Sequence, residues 1–190
     1  VALDAENRSE IEATIAGLVG RRIDSIAYWG LPPFDDGVQE PWDYGTWHHA
    51  VMGVEFGTDR GPVSLLGTDT FWLRGVEPFL CPAAELLSKE CVRHDVTTVE
   101  RWNIAREGPI RAASIHWERF RPENPWPSTA SPYDVPVGFR LDFDSGSLWM
   151  VPVVPMSLGR SDVFIPGDEL MVIFEPVRLR EIGFSDDFVA

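Results

Sequence analysis

Met52-Gly53-Val54-Glu55-Phe56-Gly57-Thr58-Asp59-Arg60-Gly61 and Val137-Gly138-Phe139-Arg140-Leu141-Asp142-Phe143-Asp144-Ser145-Gly146 stand 85 residues apart and read alike. Each alternates large apolar with small or polar residues and then turns at Asp-x-Gly. That is the pattern of a half-buried strand entering a hairpin, because successive side chains leave a strand on opposite faces.

Working outward, three more blocks recur in the same order. Ser9-Glu10-Ile11-Glu12 answers Thr97-Thr98-Val99-Glu100. Each pairs a hydroxyl with a glutamate three residues on, the arrangement of a capping box. Gly20 followed by Ile23–Trp29 answers Gly108 followed by Ile110–Trp117. Phe79-Leu80-Cys81-Pro82 with Glu85-Leu86 answers Val163-Phe164-Ile165-Pro166 with Glu169-Leu170. The offset drifts only from 88 to 84 along the chain, as a shorter loop in the second copy requires. The eight tryptophans divide four and four between the halves.

The expected fold is therefore α+β and mostly antiparallel β, a duplicated unit of ~85 residues of the form αβββ(β) with pseudo-twofold symmetry. Residues 1–190 would form one domain of two repeats, 9–95 and 96–190. The first copy predicts a helix over 9–19 with Ile11, Ile15, Leu18 and Val19 on one face. It predicts strands over 22–29, 50–57 and 62–66, and a further one at Thr70–Leu73. Residues 83–93 are open between helix and strand. The second copy predicts a short helix over 98–106 and strands near 110–117, 136–143, 147–154, 162–165 and 169–175.

Thirty acidic residues against sixteen basic ones give a net charge of −14. Such a field repels phosphate backbones and anionic membranes, so nucleic acid and membrane are not expected as partners. The N-terminal Val1–Glu6 lacks a signal-peptide pattern, and no apolar stretch approaches ~18 residues. With two cysteines at no metal-binding spacing, the expectation is a cytoplasmic protein with reduced thiols.

Two long irregular stretches, 30–47 and 118–134, each carry a Pro-Trp pair and several aromatics. Loops of that length in a compact domain are commonly functional. The first holds Asp35, Asp36, Trp42, Asp43, Tyr44 and Trp47, and is acidic. The second holds Arg119, Trp126 and Tyr133, with mixed charge. Trp29, His49 and Trp117 flank them. Together these twelve residues are the candidate binding set, since interfaces use aromatic anchors ringed by charge. The plainer alternative is that the aromatics pin the loops to the core.

The catalytic signals are weak. The run Gly45–Gly61, with His48, His49 and Glu55, is similar to the first cupin motif, but cupins space two histidines one residue apart to reach one metal. Adjacent histidines on a strand face opposite ways, so no metal ligand is assigned. The Gly-x-Ser-x-Gly elbow, a Cys beside a His and phosphate-binding glycine loops are all absent from the sequence, and no cofactor is expected. In size, acidity, tryptophan content and lack of catalytic motifs the chain resembles the immunity proteins that neutralise bacterial toxins, a likeness resting on no motif. The expectation is a non-enzymatic binding protein recognising a basic protein partner, such as a toxin or nuclease, through its acidic, aromatic loops. The alternative is a small-molecule ligand held between the two repeats, by an enzyme or a binding protein. Oligomeric state is not fixed by the sequence.

Overall fold

The computed structural model describes residues 5–32, 41–68, 75–120, 133–155 and 164–190. Helix α1 (Ala5–Ala16) leads into β1 (Ile23–Gly30), β2 (Trp47–Val51), β3 (Gly53–Thr58), β4 (Gly61–Thr68) and β5 (Gly75–Phe79). A 3₁₀ turn at Ala83–Glu85 precedes β6 (Val92–Asp95), and a second at Glu100–Trp102 runs into α2 (Asn103–Arg106). Strands β7 (Ala112–Phe120), β8 (Tyr133–Phe143), β9 (Gly146–Pro155) and β10 (Phe164–Ile173) follow. Helices α3 (Pro176–Glu181) and α4 (Asp186–Val189) end the described chain.

The ten strands form one sheet in the order β5-β4-β3-β1-β2-β10-β9-β8-β7, with β6 added on β1. Among the described residues all strand pairings are antiparallel except β1 with β2. The fold is α+β-like, a curled and mostly antiparallel sheet. Its curl brings β5 against β8, and α1 lies between β5 and β7. A flat sheet would leave both end strands open; here the helix covers part of the seam. Among the described residues no helix is long and apolar enough to cross a membrane.

The main core fills the inside of the curl with Ile15 of α1, Leu18 of the turn after it, Ile26, Phe56, Phe139 and Trp102 among others. A second cluster coats the outer face, where Trp47, Trp149, Val151, Met171 and Ile173 lie under Leu179, Phe188 and Val189 of α3 and α4. Strand alternation sorts the two sets: Leu148 and Met150 turn in, Trp149 and Val151 turn out. Phe188 packs so closely on Gly138 that a Cβ there would lie 2.8 Å from its ring.

Several expectations need correction. The helix expected over 9–19 begins four residues earlier and ends at Ala16, so Ser9 is inside it and is not a cap. Val19 then falls in the following turn and is exposed. Thr97 uses its hydroxyl on the backbone of Ile26, at N and O, and the 3₁₀ turn starting at Glu100 has no side-chain cap. Residues 83–93 contribute only one 3₁₀ turn before β6 begins. The strands expected at 162–165 and 169–175 are one strand, β10, with a register shift between Pro166 and Met171. Thr70–Leu73 lies outside the described residues.

The strand expected over 50–57 is two, parted at Val51. Val51 has φ 53°, a left-handed conformation that a β-branched residue rarely adopts. The kink lets Met52 N–H donate to Trp29 O at 2.9 Å, so β1 pairs with β2 on one side and β3 on the other. Gly53 follows because Leu65 O and the Leu66 side chain occupy the space where a Cβ would stand.

Candidate functional site

Strand β2 carries His48 and His49 on opposite faces, as its geometry dictates. His48 turns inward and is fully buried. Its Nδ1 lies 2.6 Å from Tyr28 Oη, and Trp102 Nε1 donates to the same oxygen at 2.9 Å. Trp42 and Phe174 close around the imidazole edge to face, at 5.1 and 4.7 Å between ring centroids. His48 Nε2 makes no hydrogen bond among the described residues, and Asp43 Oδ1 stands 3.5 Å from it. Burial pushes the His48 pKa down to about 4, against the opposing pull of Asp43. Burial also raises the Tyr28 phenol well above its ordinary value. The cluster therefore holds a neutral imidazole and a neutral phenol.

His49 turns outward beside Trp47, and its Nε2 lies 2.7 Å from Glu169 Oε2 on the neighbouring strand β10. That hydrogen bond holds the Glu169 carboxyl below its usual range despite partial burial. Glu169 keeps 32% of its side chain exposed, against 7% for His49. His49 meets its carboxylate in a short hydrogen bond, whereas His48 Nε2 stands 3.5 Å from the half-exposed Asp43 without one. The His49–Glu169 pair can hold a proton or accept a hydrogen bond from a bound group.

Residues 41–46, which lead into β2, are fixed against the sheet. His49 N–H donates to Trp42 O at 2.7 Å, Tyr44 N–H to Trp47 O at 3.0 Å, and Gly45 N–H to Asp43 Oδ1 at 2.8 Å. The Tyr44 ring stacks on Trp47 at 4.2 Å. From the outer face, Arg178 of α3 donates to Thr46 Oγ1 at 3.3 Å, and Phe174 N–H to Thr46 O. This leaves Asp43 with half its side chain exposed on a rigid turn.

Of the twelve candidates, Trp42, Asp43, Tyr44, Trp47 and His49 thus gather on the two faces of β2. Trp29 is buried apart from them with Leu66 and Ala83. Trp117 is partly buried on β7, where the Arg8 guanidinium stands 4.6 Å over its ring. Arg119 pairs with Asp134 at 3.1 Å. Tyr133 opens β8 opposite Phe120. Asp35, Asp36 and Trp126 lie outside the described residues. Trp29, Trp47 and Trp117 sit in three different packing clusters, so the described residues form no single aromatic cleft from them.

Sequence reasoning missed Tyr28 and Glu169 as partners of the histidines and Trp102 as the donor to Tyr28, and chose His49 over His48. Alternation on β1 could have sent Tyr28 inward with Ile26. Nothing in the sequence joins Glu169 to a strand 120 residues away. Among the described residues no three His, Cys, Asp or Glu side chains are grouped to hold a metal ion. No family model matches the chain, and no curated protein or solved structure is significantly similar to it.

Proposed function

We propose that the protein is a binding protein for a cationic protein surface, engaged at the acidic turn 41–46 and the segment leading into it. The observation that carries this reading is the chain's unpaired negative charge together with an ordered turn that presents Asp43 half exposed. Arg8, Arg93, Arg101, Arg111, Arg119, Arg140, Arg178 and Arg180 already pair with carboxylates of the same chain. The net −14 therefore resides in carboxylates beyond those pairs. A field of that sign steers a basic partner, and a turn ordered before binding loses little entropy when it docks. Trp42 and Tyr44 serve as the frame of the turn, packed on Tyr28, His48 and Trp47.

The same proposal includes descent of both halves from one αββββ unit. Its support is that β1-β3-β4-β5 and β7-β8-β9-β10 are each an antiparallel meander in chain order, each preceded by helix, with β2 and β6 as additions to the first.

The test is binding of the immobilised protein to a panel of basic nucleases and toxins, beside acidic proteins of matched size. Capture of a basic member that is weakened by Asp43→Asn supports the reading. Equal capture of acidic and basic members, or indifference to the Asp43 charge, overturns it.

A further inference from the structure

Strand β7 ends the sheet and, among the described residues, pairs only with β8. Every second residue of such a strand turns its N–H and C=O away from the ladder. On β7 these outward groups have no hydrogen-bond partner among the described residues. None of residues 112–119 is buried, whereas β8 beside it buries Val135, Phe139 and Leu141. Open edges are commonly blunted with charge or proline. Here Arg111, Glu118 and Arg119 charge the two ends, but Ala112-Ala113-Ser114-Ile115-His116-Trp117 holds no carboxylate, lysine, arginine or proline.

A crevice of about 290 Å³ runs between this strand and α1. Glu12, Ile15 and Ala16 line it from the helix, spaced as one helical face. Ala113, Ser114 and Ile115 line it from the strand. Consecutive strand residues point to opposite faces, so a hollow lined by all three opens on the edge of β7. Ala16 and Ala113 are small, which leaves a second chain room to approach. An open edge beside a helix, with an apolar hollow between them, is the geometry on which an extended peptide adds a strand.

We propose that an extended segment of a basic protein binds as an added strand along residues 112–117, with an apolar side chain seated against Ile15 and Ile115. Charge selects the rest of its composition. The chain carries −14, and Glu12 and Glu118 stand 49% and 60% exposed beside the crevice. The nearby cations Arg8 and Arg119 are both held by Asp134. Lysine or arginine alternating with apolar residues is therefore favoured, and glutamate is repelled. The same field opposes pairing of β7 with β7 of a second copy. This surface is separate from the turn at Asp43, since β10, β9 and β8 lie between β2 and β7.

The test uses a fluorescent eight-residue peptide alternating Lys and Val, blocked at both ends, and a counterpart alternating Glu and Val. Two further versions of the first are N-methylated at every Lys or at every Val. Anisotropy should show saturable binding of the Lys-Val peptide, with the Glu-Val peptide roughly tenfold weaker or more. An added strand turns alternate residues toward β7, so methylating one set should weaken binding roughly tenfold and methylating the other much less. Ala16→Trp fills the crevice from the helix and should abolish binding. Ala13→Trp, exposed on α1 outside the lining, should not. No saturation overturns the proposal, as does equal loss from both methylated sets or from neither. Binding that survives Ala16→Trp but falls with Asp43→Asn puts the peptide at the turn and overturns this proposal while sparing that one. Self-association of the protein alone that Ala16→Trp abolishes gives the edge to a second copy and overturns it too.

Discussion

Tyr28 Oη stands 2.6 Å from His48 Nδ1 while accepting the Trp102 indole N–H. Because the indole can only donate, the phenol hydrogen goes to Nδ1, and the His48 proton is placed on Nε2, the atom facing Asp43. One buried chain of donors thus sets the tautomer of a histidine in the strand that follows the acidic turn.

Removing the phenol oxygen breaks both bonds at once. Tyr28→Phe leaves His48 Nδ1 and Trp102 Nε1 buried and unpaired, and should cost about 3 kcal/mol of stability in urea unfolding. A cycle with His48→Phe should show non-additivity of about 1 kcal/mol, because the two residues share the bond. Simple additivity would contradict the chain of donors.

The buried imidazole also gives stability a pH dependence of known sign. The folded pKa, about 4, lies below the ordinary 6.5. Between those values the unfolded chain binds a proton that the folded chain refuses, so stability is full above pH 6.5 and falls as pH drops toward 4. The loss approaches about 3 kcal/mol. It should appear as the difference between wild type and His48→Gln, measured by denaturation across that range, which removes the contribution of the carboxylates. A constant difference would mean that His48 is not held neutral.

Val51 sits in the left-handed region while Val54, three residues on, is fully buried in regular strand. Val51→Gly trades lost packing for relief of backbone strain and should stay within about 1 kcal/mol of wild type. Val54→Gly has no strain to relieve and should cost about 3 kcal/mol or more. Equal losses at the two positions would show that the kink is not strained.

The outer helices dock through a close approach that a methyl group would block. Gly138→Ala should push Phe188 away and expose 176–190 to limited proteolysis, since a Cβ would fall 2.8 Å from that ring. Phe188→Ala in the same chain should remove the clash, so the double variant should lose less than the two single losses combined. Fully additive losses would count against the contact as the cause.

Much of the fold was legible because periodicity reports burial. Ile11 and Ile15 marked the inward face of α1, with Leu18 buried in the turn beyond it, and the alternation of Phe139, Leu141 and Phe143 marked β8. The kink at Val51 was not legible, since a β-branched residue inside an apolar run signals extended strand. Thr97 misled for a similar reason: a hydroxyl before a helix suits a cap, yet tertiary contact gave it to the backbone of Ile26. At the candidate site, Asp43 and His49 could be chosen by residue type and position. The partners of the two histidines could not, because Glu169 reaches His49, and Tyr28 with Trp102 behind it reaches His48, only through the sheet order and packing that folding creates.

The central claim is that the chain's excess negative charge draws a cationic partner to the turn that presents Asp43. Its most direct test is the association rate with a basic partner, followed as ionic strength rises from about 0.02 to about 0.3 M. The account predicts a fall of roughly tenfold or more, with Asp43→Asn slower at low salt and the dissociation rate less affected. An association rate indifferent to salt and to Asp43 would contradict it.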